Sequence, residues 1–347
     1  MPELTFDEQG LCAVCTEYER WRPRLEAIRS GERWAEKLTH GRSRAAGDHD
    51  VVAGLSGGKD STFVLHQLVR TYGLRVKVVT VVNGFMTDWA RENVEAQVAE
   101  LGVDHVYVEP PQAMLAPLYT AALASTGGIC TGCSYMTFSA LLTLAERERI
   151  PMVVHGRSPA QMLRFITGSS RDADLPFLEA AFEPPSTVDL GATYAASFDR
   201  IRQSLPPAHW PLFEKLLPDP TSDHLADFLP YFLHHAYDER AIVDYLDANT
   251  SWQRHPESVL LRHYDCRACD ASNYLCEQRV GRPHILPEVS ATVRFGQLTR
   301  DEGQARLEAE QFAEPPDASL DALAAFIGRS RAETLALATG AGRGKSS

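Results

Sequence analysis

The run Ser56-Gly57-Gly58-Lys59-Asp60-Ser61-Thr62 follows an apolar stretch, Val51-Val52-Ala53-Gly54-Leu55, and leads into a helical pattern. A strand that feeds a glycine-rich turn into a helix builds an anion site from its own backbone. The first helical turn has unpaired N–H groups at the positive end of the helix dipole. Gly57 and Gly58 let the main chain approach a phosphate closely, because no Cβ intervenes. Lys59 adds a positive charge, and Ser61 and Thr62 add hydroxyls at the helix start. Asp60 is out of place in a pure anion site, so its expected task is to orient Mg²⁺ or a neighbouring donor. The string is not a Walker A loop, which needs four residues between its glycines and a Ser or Thr directly after Lys. Only three residues separate Gly54 from Gly58, and Asp60 follows Lys59.

The flanking pattern alternates strand and helix. Val51–Leu55, Val76–Val82, His105–Val108 and Pro151–His155 read as strands, with helices at Ser61–Tyr72, Asp88–Leu101 and Ser134–Arg149 between them. Continuous Val-rich strands separated by helices predict an α/β fold with a parallel sheet covered on both faces. Ligands of such sheets sit at the carboxyl ends of the strands, where the glycine turn falls. One charged helix is expected from Tyr18 to about Leu38. Residues 157–262 read as helical and irregular, with breaks at Pro184-Pro185 and Pro206-Pro207. Residues 263–347 are expected to hold a strand-like piece and helices at Thr299–Phe312, Leu320–Phe326 and Ala332–Leu337, before a disordered tail.

With 347 residues, 44% of them hydrophobic, the chain can bury one large core or two modest ones. No apolar stretch approaches the ~18 residues that cross a bilayer. The opening MPELTFDEQG has neither a basic start nor an apolar signal core, which gives a cytoplasmic protein as the expectation. The 34 basic and 46 acidic residues leave a net charge of −12. Phosphate-backbone binding relies on clustered Lys and Arg, so this balance disfavours a nucleic-acid substrate.

Six of the seven cysteines form three CxxC pairs: Cys12/Cys15, Cys130/Cys133 and Cys266/Cys269. Cys276 stands alone. Disulfides are disfavoured in the cytosol, and two CxxC turns complete a tetrahedral Zn²⁺ site. Cys12/Cys15 with Cys266/Cys269 would tie the two ends of the chain together. Cys130/Cys133 opens the helix before the fourth strand and is expected near the nucleotide. Which pairs share an ion stays open.

SGGKDS resembles the PP-loop of the ATP pyrophosphatase superfamily, whose members split ATP between its α- and β-phosphates. The resemblance implies a parallel-sheet PP-loop (HUP-like) nucleotide-binding core. Ser56, Gly57, Gly58 and Ser61 would hold the pyrophosphate part of ATP, Lys59 would neutralise charge growing on it, and Asp60 would sit near Mg²⁺. The organisation that follows is an N-terminal CxxC segment and helix (1–48), the PP-loop domain (49–180), a helical insertion (181–262) and a C-terminal CxxC and helical region (263–347).

Within that superfamily, Phe6-Asp7-Glu8-Gln9-Gly10-Leu11-Cys12-Ala13-Val14-Cys15 is similar to the FDExGxCxxC opening of the N-acetyl sugar amidotransferases. The segments from Cys130 to Gly156 and from Arg294 to Glu302 add to the likeness. It implies adenylation of an amide or carboxyl oxygen, a nucleotide-sugar substrate, and ammonia from a separate glutaminase subunit; a homodimer stays open. The sulfur-transfer branch places a CxxC where Cys130/Cys133 stand and adds a distant Cys to hold a [4Fe–4S] cluster, a place Cys276 could fill. That branch also carries GHxxDD after the fourth strand, whereas Gly156-Arg157-Ser158-Pro159-Ala160-Gln161 has no aspartate pair. Arg157 and Arg164 are candidate anchors for a sugar phosphate or carboxylate. Asp88 and Asn93 are candidates to approach the ribose, and Arg294 and Arg300 are expected to pair with Asp301 or Glu302.

Overall fold

The computed structural model describes residues 6–29, 31–158, 161, 207–209, 211, 224, 226–256 and 263–340. Arg164, the proline breaks at 184–185 and at Pro206, and the tail from 341 onward lie outside them.

Two helices, α1 (Ala13–Ile28) and α2 (Glu32–Arg44), precede the sheet. The single helix expected there is split because Gly31, at φ 84°, adopts a left-handed conformation and restarts the helix as the N-cap of α2. The sheet then builds from β1 (Val51–Gly54), β2 (Val76–Val81), β3 (Asp104–Val108), β4 (Met152–His155) and β5 (Asp227–Pro230). All pairs are parallel, in the order β3-β2-β1-β4-β5. Between them lie α3 (Lys59–His66), which runs on through a wider turn at Gln67–Thr71, α4 (Asp88–Leu101), α5 (Gln112–Thr126) and α6 (Cys130–Arg147). The four expected strands form within a residue or two of their predicted bounds. The fifth was hidden because Phe228-Leu229-Pro230-Tyr231-Phe232 carries a proline, which a strand tolerates only at a sheet edge, where β5 sits.

Successive strand residues face opposite sides, so both faces must be covered. Val52 and Val153 point into a core shared with α5, α6 and the C-terminal helices. Val51, Ala53, Met152 and Val154 point into a second core with α2, α3, α4 and α7 (Glu239–Asn249). The strongly apolar β1 and β4 are thus buried on both sides, as their composition requires.

After residue 263 the chain forms α8 (Cys269–Val280), α9 (Leu286–Arg294), α10 (Arg300–Ala309), α11 (Asp317–Phe326) and α12 (Arg331–Thr339). The strand-like piece expected there is represented, among the described residues, by one isolated bridge between Met86 and Cys266. Thr299 and Ser330 cap α10 and α12 in capping boxes with Glu302 and Glu333, which explains those helix starts.

Candidate active site

The turn after β1 is held by its own hydroxyls. Ser56 N–H donates to Ser61 Oγ at 3.1 Å, and Gly58 N–H to Ser56 Oγ at 3.3 Å. Ser61 and Thr62 hydroxyls both donate to the Gly58 carbonyl, at 3.2 and 2.9 Å. These bonds fix the entry into α3, whose first-turn N–H groups have no carbonyl behind them. Gly57 sits at φ +83°, and a Cβ there would lie 2.2 Å from the Ala90 carbonyl oxygen. Only glycine meets both demands. A Cβ on Gly156 would lie 2.9 Å from the Asp60 carbonyl oxygen, so the end of β4 runs directly against the start of α3.

The carbonyl of Gly57 accepts the indole N–H of Trp252 at 3.0 Å. Asn93, whose side chain both donates to and accepts from the Gln253 backbone at 3.1 and 2.7 Å, clamps the same segment. This commits Asn93 to structure rather than to the ribose. Asp88 is the first residue of α4, and Thr87 caps that helix.

Lys59 lies in a nest of acid. Its Nζ is 3.2 Å from Asp60 Oδ2 and 3.1 Å from Glu239 Oε1. Burial disfavours the ammonium, but the charges of Asp60 and Glu239 outweigh that and hold its pKa well above the ordinary lysine value. Asp60 Oδ1 accepts from Tyr237 at 3.3 Å. Burial, with the charges of Asp60 and Glu239 behind it, drives the Tyr237 phenol up, so it stays a donor.

The loop opens into a cavity of about 840 Å³, a volume typical of small-molecule sites. Ser56, Lys59, Asp60, His155, Trp252 and Glu288 line it. Five cysteines share that lining: Cys130, Cys133, Cys266, Cys269 and Cys276. Backbone bonds from Thr87 to Asp265 (3.2 Å) and from Arg267 to Phe85 (2.8 Å) bring Cys266 beside the β2–α4 turn. Asn83 Nδ2 lies 3.6 Å from both Cys133 Sγ and Cys266 Sγ. Ser272 of α8 accepts the Ile129 N–H at 3.0 Å and lies 3.3 Å from Cys130 Sγ, joining the starts of α6 and α8.

Withdrawal from water pushes the Cys133, Cys266, Cys269 and Cys276 thiols up, Cys133 to about 11 and Cys276 to about 12, and raises the more exposed Cys130 as well, so without a cation they are neutral. A bound metal would reverse that by stabilising thiolates. Among the described residues no three His, Cys, Asp or Glu side chains are already gathered around a point that an ion would occupy. The donor set suits a thiolate-bound metal, and binding would require the thiols to draw together.

Cys12 and Cys15 are elsewhere. They open α1, with Cys15 N–H donating to Cys12 Sγ at 3.4 Å, and Arg294 acts on both. Of the pairings left open, the structure brings Cys266 beside Cys133, both within 3.6 Å of Asn83 Nδ2, and sets Cys12 and Cys15 at the start of α1 beside Arg294. Arg294 faces this pair rather than Asp301 or Glu302, and Glu302 is taken by Thr299 in the α10 capping box. Arg157 reaches Ser134 Oγ and lies over the Phe138 ring at 4.9 Å, at the cavity wall.

Sequence reasoning passed over His155, Glu239, Trp252, Asn83 and Glu288. His155 ends a strand beside the loop, which is a usable signal. Glu239, Trp252 and Glu288 lie more than 170 residues beyond the loop, and nothing in the local sequence announces their return to it. Ser158 Oγ donates to Glu288 Oε1 at 3.4 Å. Burial raises the Glu288 carboxyl, partly opposed by His263 and Lys59.

No family model matches the chain. Over 95 residues it is 33% identical to the GMP synthase (glutamine-hydrolyzing) of Pyrobaculum aerophilum; this is 27% of the chain and 17% of that protein, so the chain spans about a sixth of its length. Solved structures align with it at low similarity. The U34-tRNA thiolase NcsA from Methanococcus maripaludis, with its [4Fe–4S] cluster, gives a TM-score of 0.40 at 12% identity over 83% of this chain and 82% of that one. The NH3-dependent NAD synthetase from Campylobacter jejuni gives 0.31 at 14% identity over 55% and 93%. No described helix is long and apolar enough to cross a membrane. SGGKDS thus stands at the carboxyl end of the middle strand of a parallel α/β sheet, and this placement and the partial GMP synthase match are consistent with the resemblance to the PP-loop ATP pyrophosphatase superfamily.

Proposed function

We propose that this chain is an ATP-dependent adenylating enzyme whose cavity receives both ATP and an oxygen-bearing second substrate. The observation that carries this reading is the intact loop, tied by Ser56, Ser61 and Thr62 and opening beside Lys59 into a cavity of about 840 Å³. First-turn N–H groups of α3 and the hydroxyls around them receive the β- and γ-phosphates. An amide or carboxyl oxygen of the second substrate bonds to the α-phosphorus as the bond to the bridging oxygen breaks. Pyrophosphate leaves with that electron pair. Lys59 offsets the growing charge, and Asp60 is the residue that would hold Mg²⁺, which polarises the phosphates when bound. Fixed geometry and preorganised charge supply on the order of several kcal/mol each.

A nitrogen nucleophile then attacks the activated carbon, AMP departs with the former substrate oxygen, and a proton is lost. The opening motif Phe6 to Cys15 favours this ending, as in N-acetyl sugar amidotransferases, with a nucleotide-sugar acceptor and ammonia from a glutaminase subunit.

A second ending, by sulfur, is favoured by one specific observation: five thiols line the same cavity as the loop, and Asn83 reaches Cys133 and Cys266 together. Cys130, Cys133 and Cys266, with Cys269 or Cys276 in reserve, are the residues that would hold a [4Fe–4S] cluster or Zn²⁺. A cluster with an open iron supplies sulfur chemistry when bound, whereas zinc supplies a structural tie. Protein purified without oxygen tests this. Stoichiometric zinc supports the nitrogen ending, while iron with absorbance near 400 nm supports the sulfur one.

A further inference from the structure

His155 ends β4, is 4% exposed, and packs its ring against both Phe138 and Phe228, at centroid distances of 5.2 and 4.7 Å. Its Nδ1 accepts the backbone N–H of Arg157 at 3.3 Å. A backbone amide can only donate, so Nδ1 is the lone-pair nitrogen and the neutral ring carries its proton on Nε2. That Nε2 is buried and finds no hydrogen-bond partner among the described residues, and His155 is one of the residues that line the cavity holding Ser56, Lys59 and Asp60. Burial first, and then the charge of Arg157, pushes the imidazolium down to about 3. From α6 and β5 it meets the uncharged rings of Phe138 and Phe228. Buried donors are nearly always satisfied, so one left open beside a ligand cavity asks for a ligand.

We propose that His155 serves as a neutral hydrogen-bond donor, through Nε2–H, to an acceptor oxygen of the molecule that fills the cavity. That oxygen belongs either to the α-phosphate of ATP or to the carbonyl of the second substrate. Both offer the same chemistry: lone pairs that gain negative charge during adenylyl transfer. A neutral imidazole donates without surrendering its proton, which separates this role from that of a general base. The inference rests on the reading of the cavity as the adenylation chamber.

Full-length protein with ¹⁵N-labelled histidines tests it by long-range proton–nitrogen NMR. The expected result is a proton on Nε2, unchanged between about pH 5 and pH 8. A proton on Nδ1, or titration inside that range, overturns the proposal. Magnesium α,β-methylene-ATP shifting the His155 signal assigns the oxygen to ATP, and a shift only after UDP-N-acetylglucosamine is added assigns it to the second substrate. No shift with either probe overturns the proposal. His155→Gln, which keeps an N–H near the Nε2 position, should hold the responsive probe within about threefold, while His155→Leu should weaken it by about tenfold or more. Equal binding by all three proteins also contradicts it. Calorimetry on the same samples keeps the two readings apart. Absence of ATP-analogue uptake defeats the adenylation reading, whereas uptake with an unmoved His155 signal defeats this one alone.

Discussion

Trp252 donates its indole N–H to the carbonyl of Gly57 at 3.0 Å, so a residue 195 positions downstream holds the phosphate loop from behind. The indole is 6% exposed, and the bond is made inside the second core. Trp252→Phe keeps most of the apolar volume but leaves the Gly57 carbonyl without this donor. The expected cost is about 1–2 kcal/mol in urea unfolding, together with weaker ATP binding. Unchanged ATP affinity would show that the loop holds its shape without the indole.

Gly57 meets two constraints at once, a left-handed φ of +83° and a backbone oxygen 2.2 Å from where a Cβ would stand. Gly57→Ala should lower stability by about 2 kcal/mol or more, displace α4, and abolish pyrophosphate release. The matching control is Gly47→Ala, where a Cβ meets nothing within 4 Å. Equal melting temperatures for the two variants would refute the close approach.

Much of this was legible in the sequence because it is local. The loop, the four expected strands and Cys130/Cys133 are each defined by neighbours within a few residues. What stayed hidden depends on distant packing. Glu239 and Trp252 reach the loop only through α7 and the segment after it, and Cys266 through backbone bonds to residues 85 and 87. The pairing of Cys12/Cys15 stayed open for the same reason: CxxC spacing fixes two thiols relative to each other and says nothing of which other pair they meet.

The cysteine geometry separates the pairs by experiment. In protein purified without oxygen, Cys130→Ser, Cys133→Ser and Cys266→Ser should each remove most of the metal, measured per chain by elemental analysis. Cys12→Ser and Cys15→Ser should leave that cavity-bound metal in place. Loss of all metal in the Cys12 variant, with the others unaffected, would move the site to the N-terminal pair.

Asp50 gives a pH dependence with a definite sign. Burial opposes its ionisation, but hydrogen bonds from Arg75, at 2.7 and 2.9 Å, outweigh that and hold its pKa below the ordinary aspartate value. A depressed carboxylate adds stability that is complete above its unfolded pKa of about 3.9 and is lost as pH falls through the lower folded value. Asp50→Asn should therefore be less stable than the parent at pH 6, and the gap in urea midpoints should close as pH falls below the unfolded value and through the lower folded one. A gap that persists unchanged in acid would mean that the charge on Asp50 is not what matters.

On the proposed function, Lys59 and the Ser56–Thr62 loop grip ATP so that its adenylyl half is handed on. Lys59→Ala, compared with the parent by folding and by the products formed from ATP labelled at the α-phosphate, tests it most directly. The parent should yield AMP and pyrophosphate, and the folded variant should lose about 100-fold or more of that rate. Release of ADP and phosphate by the parent, or undiminished AMP formation by the variant, would contradict the account.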